Sequence, residues 1–349
     1  MTFHTTIAPL GIREADLCDA RDAARVDAFV RAHTGATPFH LTGWSRAVQA
    51  GCGQRARYLV AERANGSLAG VLPLTEMRSV LFGRALVSTG FGVGGGVLGE
   101  GRDALAAGAW ALAERLGCPS VELRGGPGPA GWTGDDTTYL GFARPLAASD
   151  EAELAAIPRK QRAEVRRALG HDLTVHVGRD AAALAEHHRV YAESVRNLGT
   201  PVFPARLFRA ALDALDADVL TVRHEGRAVA SVLSLYANGT AYPYWGGGTA
   251  AARGLRANDR MYFALMAHAR TRGCVRFDFG RSKAGTGAAA FKKNWGFTPE
   301  PLRYWSRSDG PARTVNPLNP KYALMVRTWK RLPLPVANTL GPLLSRGLG

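Results

Sequence analysis

Two stretches of the chain carry the same order of apolar and polar positions. The first, YLVAERANGSLAGVLPLTEM, begins at Tyr58, and the second, VLTVRHEGRAVASVLSLYANGTAYPYWGGGTAAARGL, begins at Val219. In each, a strand meets a short turn (Asn65-Gly66 or Glu225-Gly226) and a second, more apolar strand follows. Next come a glycine triplet (Gly94–Gly96 or Gly246–Gly248) and an Ala-rich helix (Asp103–Leu116 or Asn258–Arg272). Both helices stop at a Gly-Cys pair, Gly117-Cys118 and Gly273-Cys274, before a last strand, SVELRG or VRFDFG. The strand starts, triplets and Gly-Cys pairs recur at offsets of 161, 152 and 156 residues. Ordered landmarks at a near-constant spacing predict a duplicated α/β domain of about 150 residues. Residues 58–125 and 219–280 are expected to form two similar mixed sheets.

Around these copies the pattern predicts helices at Asp16–His33, from Thr42 to Ala50, at Asp180–Asn197 and at Ala205–Leu215. Thr138–Leu146 is expected to close the first domain, which then ends near Ala148, and Leu302–Ser306 is a strand after the second copy. Ser149–Leu169 reads as a helix broken near Pro158, with Arg159, Arg162 and Arg166 on one face.

The most informative stretch is FDFGRSKAGTGAAAFKKNWGF, Phe277 to Phe297. A buried strand breaks at Gly280 and empties into a loop with Arg281, Ser282, Lys283 and Thr286, followed by a short helix carrying Phe291, Lys292 and Lys293. Open α/β sheets place ligands at such strand ends. Lysines and aromatics together suit an anionic, stackable ligand. Tyr242 and Tyr244 are expected on one face of the neighbouring strand, with Pro243 and Trp245 on the other. Either tyrosine is placed to donate to a leaving group or to pack. Asp278 is placed to orient an amine, to act as base, or to fix the loop through Arg281. After Gly248, Arg253, Arg256 and Asn258 precede a helix N-terminus, an arrangement that attracts anions. The expectation is one pocket holding Arg281, Ser282, Lys283, Thr286, Phe291 and Lys292 with Tyr242 or Tyr244 and the helix start at Arg256–Asn258.

Charge narrows the partners. Residues 1–150 hold 14 Arg, no Lys and 14 Asp plus Glu, whereas residues 151–349 hold 30 Lys plus Arg against 15 acids, so the whole +15 lies in the second part. A nucleotide, tRNA, a phosphorylated carrier or an anionic membrane fits that bias, and so does a solvated surface. From Pro311 to Gly349 there are six basic residues and no acid, with Trp329 in an apolar stripe. That pattern suits an anionic membrane surface or an arm packed across the two domains. No 18-residue apolar run or signal-peptide pattern is visible, and Cys18, Cys52, Cys118 and Cys274 show no CxxC spacing. A cytoplasmic protein, peripheral at most to the inner membrane face, is expected. The histidines show no HExxH, no GxSxG is present, and Gly92–Gly96 lacks a P-loop lysine, so metal-, serine- and P-loop-based readings have no support.

The duplicated core, the FDFG…FKKNWGF strand–loop–helix and the basic helix before the second copy together resemble the FemAB family of aminoacyltransferases. VRNLGTPVFP, which contains Arg196, and the tail KRLPLPVANTLGPLLSRGLG are similar to the FemAB-like proteins associated with the PEP-CTERM/exosortase system, which accompany exopolysaccharide loci. The resemblance implies an α/β (α+β) fold of two tandem GNAT-like (acyl-CoA N-acyltransferase) domains with mixed central sheets, 1–148 and 149–310, and a basic C-terminal arm, 311–349. It implies that Phe291 stacks on a donor base and that Lys292 stabilises the oxyanion. Tyr242, Lys293 and Arg196 join the donor-binding set, and Lys292, Asp278 and Tyr244 form the catalytic set. No tightly bound cofactor and no metal is expected. The donor is an aminoacyl-tRNA or an acyl-CoA, and the acceptor is an amine on a cell-envelope or polysaccharide precursor. The coiled-coil arm common in peptidoglycan-building members is not visible, and the segment after Gly248 lacks a clean Q/R-x-x-G-x-G/A pattern. The competing class is a non-catalytic module that binds tRNA or polysaccharide precursors at the membrane.

Overall fold

The computed structural model describes residues 10–79, 83–310 and 320–349. The first half runs β1 (Gly11–Glu14), α1 (Ala20–Ala32), α2 (Thr42–Cys52), β2 (Arg55–Glu62), β3 (Leu68–Ser79), β4 (Gly83–Ser88), β5 (Leu98–Gly99), α3 (Arg102–Leu116), β6 (Ser120–Arg124), β7 (Thr133–Asp135) and β8 (Tyr139–Pro145). Two helices follow, α4 (Asp150–Ala156) and α5 (Arg159–Leu169), parted at Pro158 as the sequence predicts. The second half continues with β9 (Thr174–Gly178), α6 (Ala181–Leu198), α7 (Ala205–Ala214), β10 (Ala217–His224), β11 (Arg227–Ala237), β12 (Thr240–Gly248), α8 (Ala257–Thr271), β13 (Arg276–Lys283), α9 (Gly287–Asn294), β14 (Pro299–Pro301) and β15 (Tyr304–Ser308). The arm contains α10 (Pro320–Trp329) and α11 (Leu334–Ser345), whereas its start, Pro311 to Asn319, lies outside the described residues.

The repeat is visible in the pairing. β2-β3-β4 form an antiparallel meander and β4 then pairs parallel with β6; β10-β11-β12 repeat the meander and β12 pairs parallel with β13. A helix crosses between each parallel pair, α3 in one copy and α8 in the other, as a parallel connection requires.

The closing strands depart from the sequence reading. β8, expected in the first sheet, pairs with β13 and β14 of the second. β15, which follows the second copy, pairs with β6 and β7 of the first. The two halves therefore exchange their closing strands, and a cut near residue 148 does not separate the sheets. Hydrophobic alternation specifies which face of a strand is buried but not which open edge receives it, and β6 and β13 offer equivalent edges.

The seam between the halves is a core in its own right. Trp44 and Phe39 from the first half are buried against Phe208, Leu233 and Trp245 from the second. Helices α2 and α7 cross there at close range: a Cβ on Gly51 would lie 2.4 Å from the Cα of Leu207, and one on Gly43 would lie 2.6 Å from the carbonyl oxygen of Ala214. Only glycine permits that approach. Separate cores lie behind the second sheet, around Phe277, Met261 and Trp295, and behind the first, around Leu72, Leu105 and Val121.

Candidate active site

β12 and β13 are hydrogen-bonded neighbours only at their starts, Thr240 to Arg276 and Ala241 to Phe277. Beyond these pairs no ladder joins them, which opens a wedge in the middle of the second sheet. Each wall is bulged. In β12 the register against β11 shifts, Ser234 facing Pro243 and Leu233 facing Trp245, so Tyr244 is the extra residue. In β13 the register against β8 shifts between Asp278 and Arg281. A bulge re-aims the side chains beside it and increases local twist.

The β12 bulge corrects the expected alternation. Trp245 lies on the same side as Tyr242 and Tyr244: its ring is 4.9 Å from Tyr244 and stacks at 5.7 Å on Trp44. The extra residue cancels one step of the two-residue period. Tyr244 donates its hydroxyl to the carbonyl of Phe91 in the first half and packs 4.9 Å from Phe39, so it is bound into the seam. Tyr242 is buried 6.3 Å from Phe39, and burial raises its phenol well above the ordinary value, with the Asp278 carboxylate adding to the shift.

The β13 bulge holds the charged groups. Arg281, Ser282 and Lys283, expected in a loop, remain in the strand, opposite Gly141, Leu140 and Tyr139. Lys292 reaches from α9 under the bulge, and its Nζ donates to the carbonyls of Gly280 at 3.1 Å and Arg281 at 2.9 Å. The rings of Phe142 and Phe279 lie 5.3 and 5.8 Å from the same ammonium. Burial pushes Lys292 down to about 8; Asp278 opposes that shift and Arg281 adds to it. Asp278 accepts from the amide of Gly280 at 2.8 Å, and burial raises its carboxyl above the usual range. Ser282 is buried, with no hydrogen-bond partner for its hydroxyl among the described residues.

Arg281 crosses toward the first half. It donates to the Tyr304 hydroxyl at 2.7 Å and stacks 4.7 Å over Tyr139. Among the described residues no carboxylate pairs with it. It lines a cavity of ≈ 170 Å³ between the sheets together with Arg124, Tyr139, Tyr304 and Glu122, and the segment Leu348–Gly349 reaches its rim. Arg124, Tyr139 and Tyr304 were not singled out from the sequence. The available signal was Arg124, a charge ending the buried strand SVELRG.

Other candidates are separated from this group or occupied. Phe291 packs among Tyr262, Phe279 and Trp295, with ring centroids 5.7, 6.3 and 6.2 Å away, so it is part of the aromatic wall of the second core. Thr286 caps α9, accepting from the amide of Ala289 and donating to the carbonyl of Lys283. Lys283 lies 5.6 Å from the Tyr139 ring, its ammonium lowered by burial and by Arg281. Lys293 is exposed. At the start of α8, Arg256 is ion-paired with Glu164, Arg253 is exposed and Asp259 occupies the first turn. That acid pair weakens the expected anion site there. Asn258 has a buried Oδ1 without a hydrogen-bond partner among the described residues, beside Gly248. Arg196, at the end of α6, donates to the carbonyl of Lys330 in the arm. The expected single pocket is therefore divided: Arg281, Lys283, Lys292 and Asp278 gather at the β13 bulge, while none of Arg253, Arg256 and Asn258 lines the cavity that holds Arg281. Among the described residues no group of side chains is arranged to hold a metal ion.

The family model for an acetyltransferase (GNAT) domain matches residues 158–293, which contain the wedge, both bulges and Lys292. Among solved structures, FemX is similar over 81% of this chain and 95% of its own, at 16% identity and a TM-score of 0.66. The C-terminal domain of a putative lysylphosphatidylglycerol synthetase from Agrobacterium fabrum is similar over 83% of this chain and 93% of its own, at 15% identity and a TM-score of 0.57. A tandem GNAT protein from the clavulanic acid biosynthesis pathway is similar over 87% of this chain and 99% of its own, at 16% identity and a TM-score of 0.52. No curated protein sequence matches the chain. The protein has a FemAB-like tandem GNAT fold, and the match to the GNAT domain model lies within its second half.

Proposed function

We infer that this protein is an N-acyltransferase that moves an activated acyl or aminoacyl group onto an amine, with the chemistry in the second half. The observation that carries this reading is the β13 bulge: a half-buried ammonium, Lys292, lies directly behind a strand whose next side chain, Arg281, is a half-buried guanidinium without a carboxylate partner among the described residues. An uncompensated buried cation is costly, and it is retained where an anion arrives to pair with it. Arg281 at the cavity between the halves suits a phosphate or carboxylate of the substrate, because a guanidinium presents donors in a fork that fits either group.

Amine attack on an acyl carbon builds negative charge on the acyl oxygen. Lys292 carries three donors, two of them on the bulge carbonyls, and the remaining one is the group assigned to that oxygen. Its environment holds it near neutrality, where it is still largely protonated at pH 7. The attacking amine loses a proton, and Asp278, whose carboxyl is raised by burial, is the base assigned to take it; the adduct then collapses, breaking the donor's acyl–oxygen or acyl–sulfur bond, and the departing hydroxyl or thiol takes up that proton. Tyr244 is not given a catalytic part, because its hydroxyl is spent on Phe91.

The acceptor assigned is an amine on a cell-envelope or polysaccharide precursor handled at the cytoplasmic side of the membrane. The similarity to a putative lysylphosphatidylglycerol synthetase domain supports a membrane-side acceptor, as does the basic second half. For the donor, the Glu164–Arg256 pair and Asp259 at the start of α8 leave little positive charge for a CoA pyrophosphate, which favours aminoacyl-tRNA. The test is to incubate the protein with an amine acceptor and either charged tRNA or acyl-CoAs, reading transfer by mass and binding by the melting transition. Lys292→Ala should remove turnover and leave binding nearly unchanged. Loss of binding with no turnover in the parent protein would identify a binding module instead.

A further inference from the structure

The last helix of the chain is turned inside out. Along α11 the buried positions are Ala337, Gly341 and Ser345, the small residues, at a spacing of four. The positions on the outer side, Val336, Leu340 and Leu343, are large and apolar and are 42%, 43% and 58% exposed. A helix stabilised only by its own fold buries the wide apolar stripe and shows the small or polar one. The buried side is well fixed: Gly341 lies against Val202, the Ser345 hydroxyl donates to the Val202 carbonyl at 2.8 Å, and Gln54 donates to the Arg346 carbonyl at 2.7 Å. The outward leucines are therefore held in place by contacts with both halves and do not result from a loosely attached tail.

The neighbouring surface continues the pattern. α10 rests on the same turn, its Val326 against Gly199, and exposes Leu324 at 71% and Met325 at 53%. Leu198, at the end of α6, is 68% exposed. These exposed apolar side chains stand on three helices that meet at the turn 198–202, and a grouping of this kind marks an interaction surface. Arg327, Lys330 and Arg331 are exposed beside it, and residues 311–349 contain no acid.

We propose that α10, α11 and Leu198 form a membrane-docking face that inserts Leu324, Met325, Val336, Leu340 and Leu343 among the lipids of an anionic bilayer while Arg327, Lys330 and Arg331 contact its headgroups. The charge selects this occupant. A second copy docked face to face would bring two all-basic segments together, which disfavours association. An anionic lipid surface offers hydrocarbon for the leucines and phosphate for the cations at the same depth. Among the described residues no helix is long and apolar enough to cross a membrane, so the contact is peripheral. The inference does not depend on the transferase reading.

The test uses the full chain with vesicles of phosphatidylcholine containing phosphatidylglycerol, and with vesicles of phosphatidylcholine alone. The protein should sediment with the first in a salt-sensitive way and far less with the second. The double variant Leu340→Glu, Leu343→Glu should keep the parental melting temperature, since both side chains are exposed, and lose binding by about tenfold or more. The triple variant Arg327→Gln, Lys330→Gln, Arg331→Gln should lose the preference for phosphatidylglycerol. Wild-type binding by the leucine variant would reduce the effect to the net charge of the chain and overturn the proposal. So would absence of vesicle binding by the parent, or a parental dimer that the leucine variant converts to monomer.

Discussion

The two copies of the domain put the same motif, a glycine triplet set between the strands of a parallel pair, to opposite uses. In the first copy the gap beyond β4 is filled by the chain itself. Arg124 donates to the carbonyls of Thr89 and Gly92, Trp44 to Gly90, Tyr304 to Val93 and Tyr244 to Phe91. A Cβ on Gly96 would lie 2.2 Å from the Gly125 carbonyl, so the triplet is packed against backbone. In the second copy the triplet stays in strand β12, paired with Ala230–Val232, and the wedge toward β13 is not sewn shut by backbone. Arg124, buried, and Arg281, half-buried, show the consequence. Arg124 has Glu122 and two carbonyls; Arg281 has a tyrosine hydroxyl and aromatic faces. One half uses its gap for stability and the other keeps an incompletely paired site, the trade expected between a scaffold and a functional centre.

The largest expected effect separates the halves by activity. Lys292→Ala should lower kcat by about 100- to 1000-fold, as loss of one oxyanion donor does elsewhere, whereas Lys292→Arg should retain part of the rate because the charge remains. Equal rates for Lys292→Ala and the parent would break the assignment of chemistry to the second half.

The arginine pair gives the next contrast. Arg124→Met should cost about 3 kcal/mol in chemical denaturation, since it leaves two buried loop carbonyls without their donor and removes the ion pair to Glu122. Arg281→Met should be neutral or slightly stabilising, because it removes a half-buried charge with no carboxylate partner among the described residues, yet it should weaken substrate binding. Equal destabilisation by both substitutions would contradict the reading of Arg281 as a ligand group.

A pH profile sharpens the role of Lys292. Its folded value of about 8 lies below its ordinary 10.5, so the unfolded chain binds more protons between these values. Stability from this group should rise as pH climbs from 8 toward 10.5. Activity should move the other way, falling above pH 8 as the ammonium is lost, and Lys292→Arg should flatten that limb. The smallest effect concerns the seam: Tyr244→Phe removes one hydrogen bond to Phe91 and should cost about 1 kcal/mol with kcat nearly unchanged. A large loss of kcat would restore Tyr244 to the catalytic set.

The duplication, the strand and helix order within each copy and the break at Pro158 were legible in the sequence, because period, turns and glycine punctuation are local signals. That Lys292 belongs with the strand end of Phe277–Phe279 was expected from the resemblance and from its neighbour Lys293 in a chain with only 6 lysines, and the structure places it against that strand. The rest was not local. Trp245 changed face because a bulge adds one residue to a strand, and Arg281–Lys283 stayed in β13 because β8 extends the ladder past the bulge.

Sequence alone thus determined that there are two related α/β units, where their strands and helices lie, and that the second unit carries the cations. Tertiary structure decided which sheet received β8 and which received β15, because equivalent open edges are indistinguishable by composition. It also decided that Arg124, Tyr139, Tyr304 and Arg281, separated by up to 180 residues of chain, share one cavity, and that the leucines of α11 face outward. Such choices follow from long-range pairing and packing, in which the gain at one edge or face depends on what every other segment has already covered.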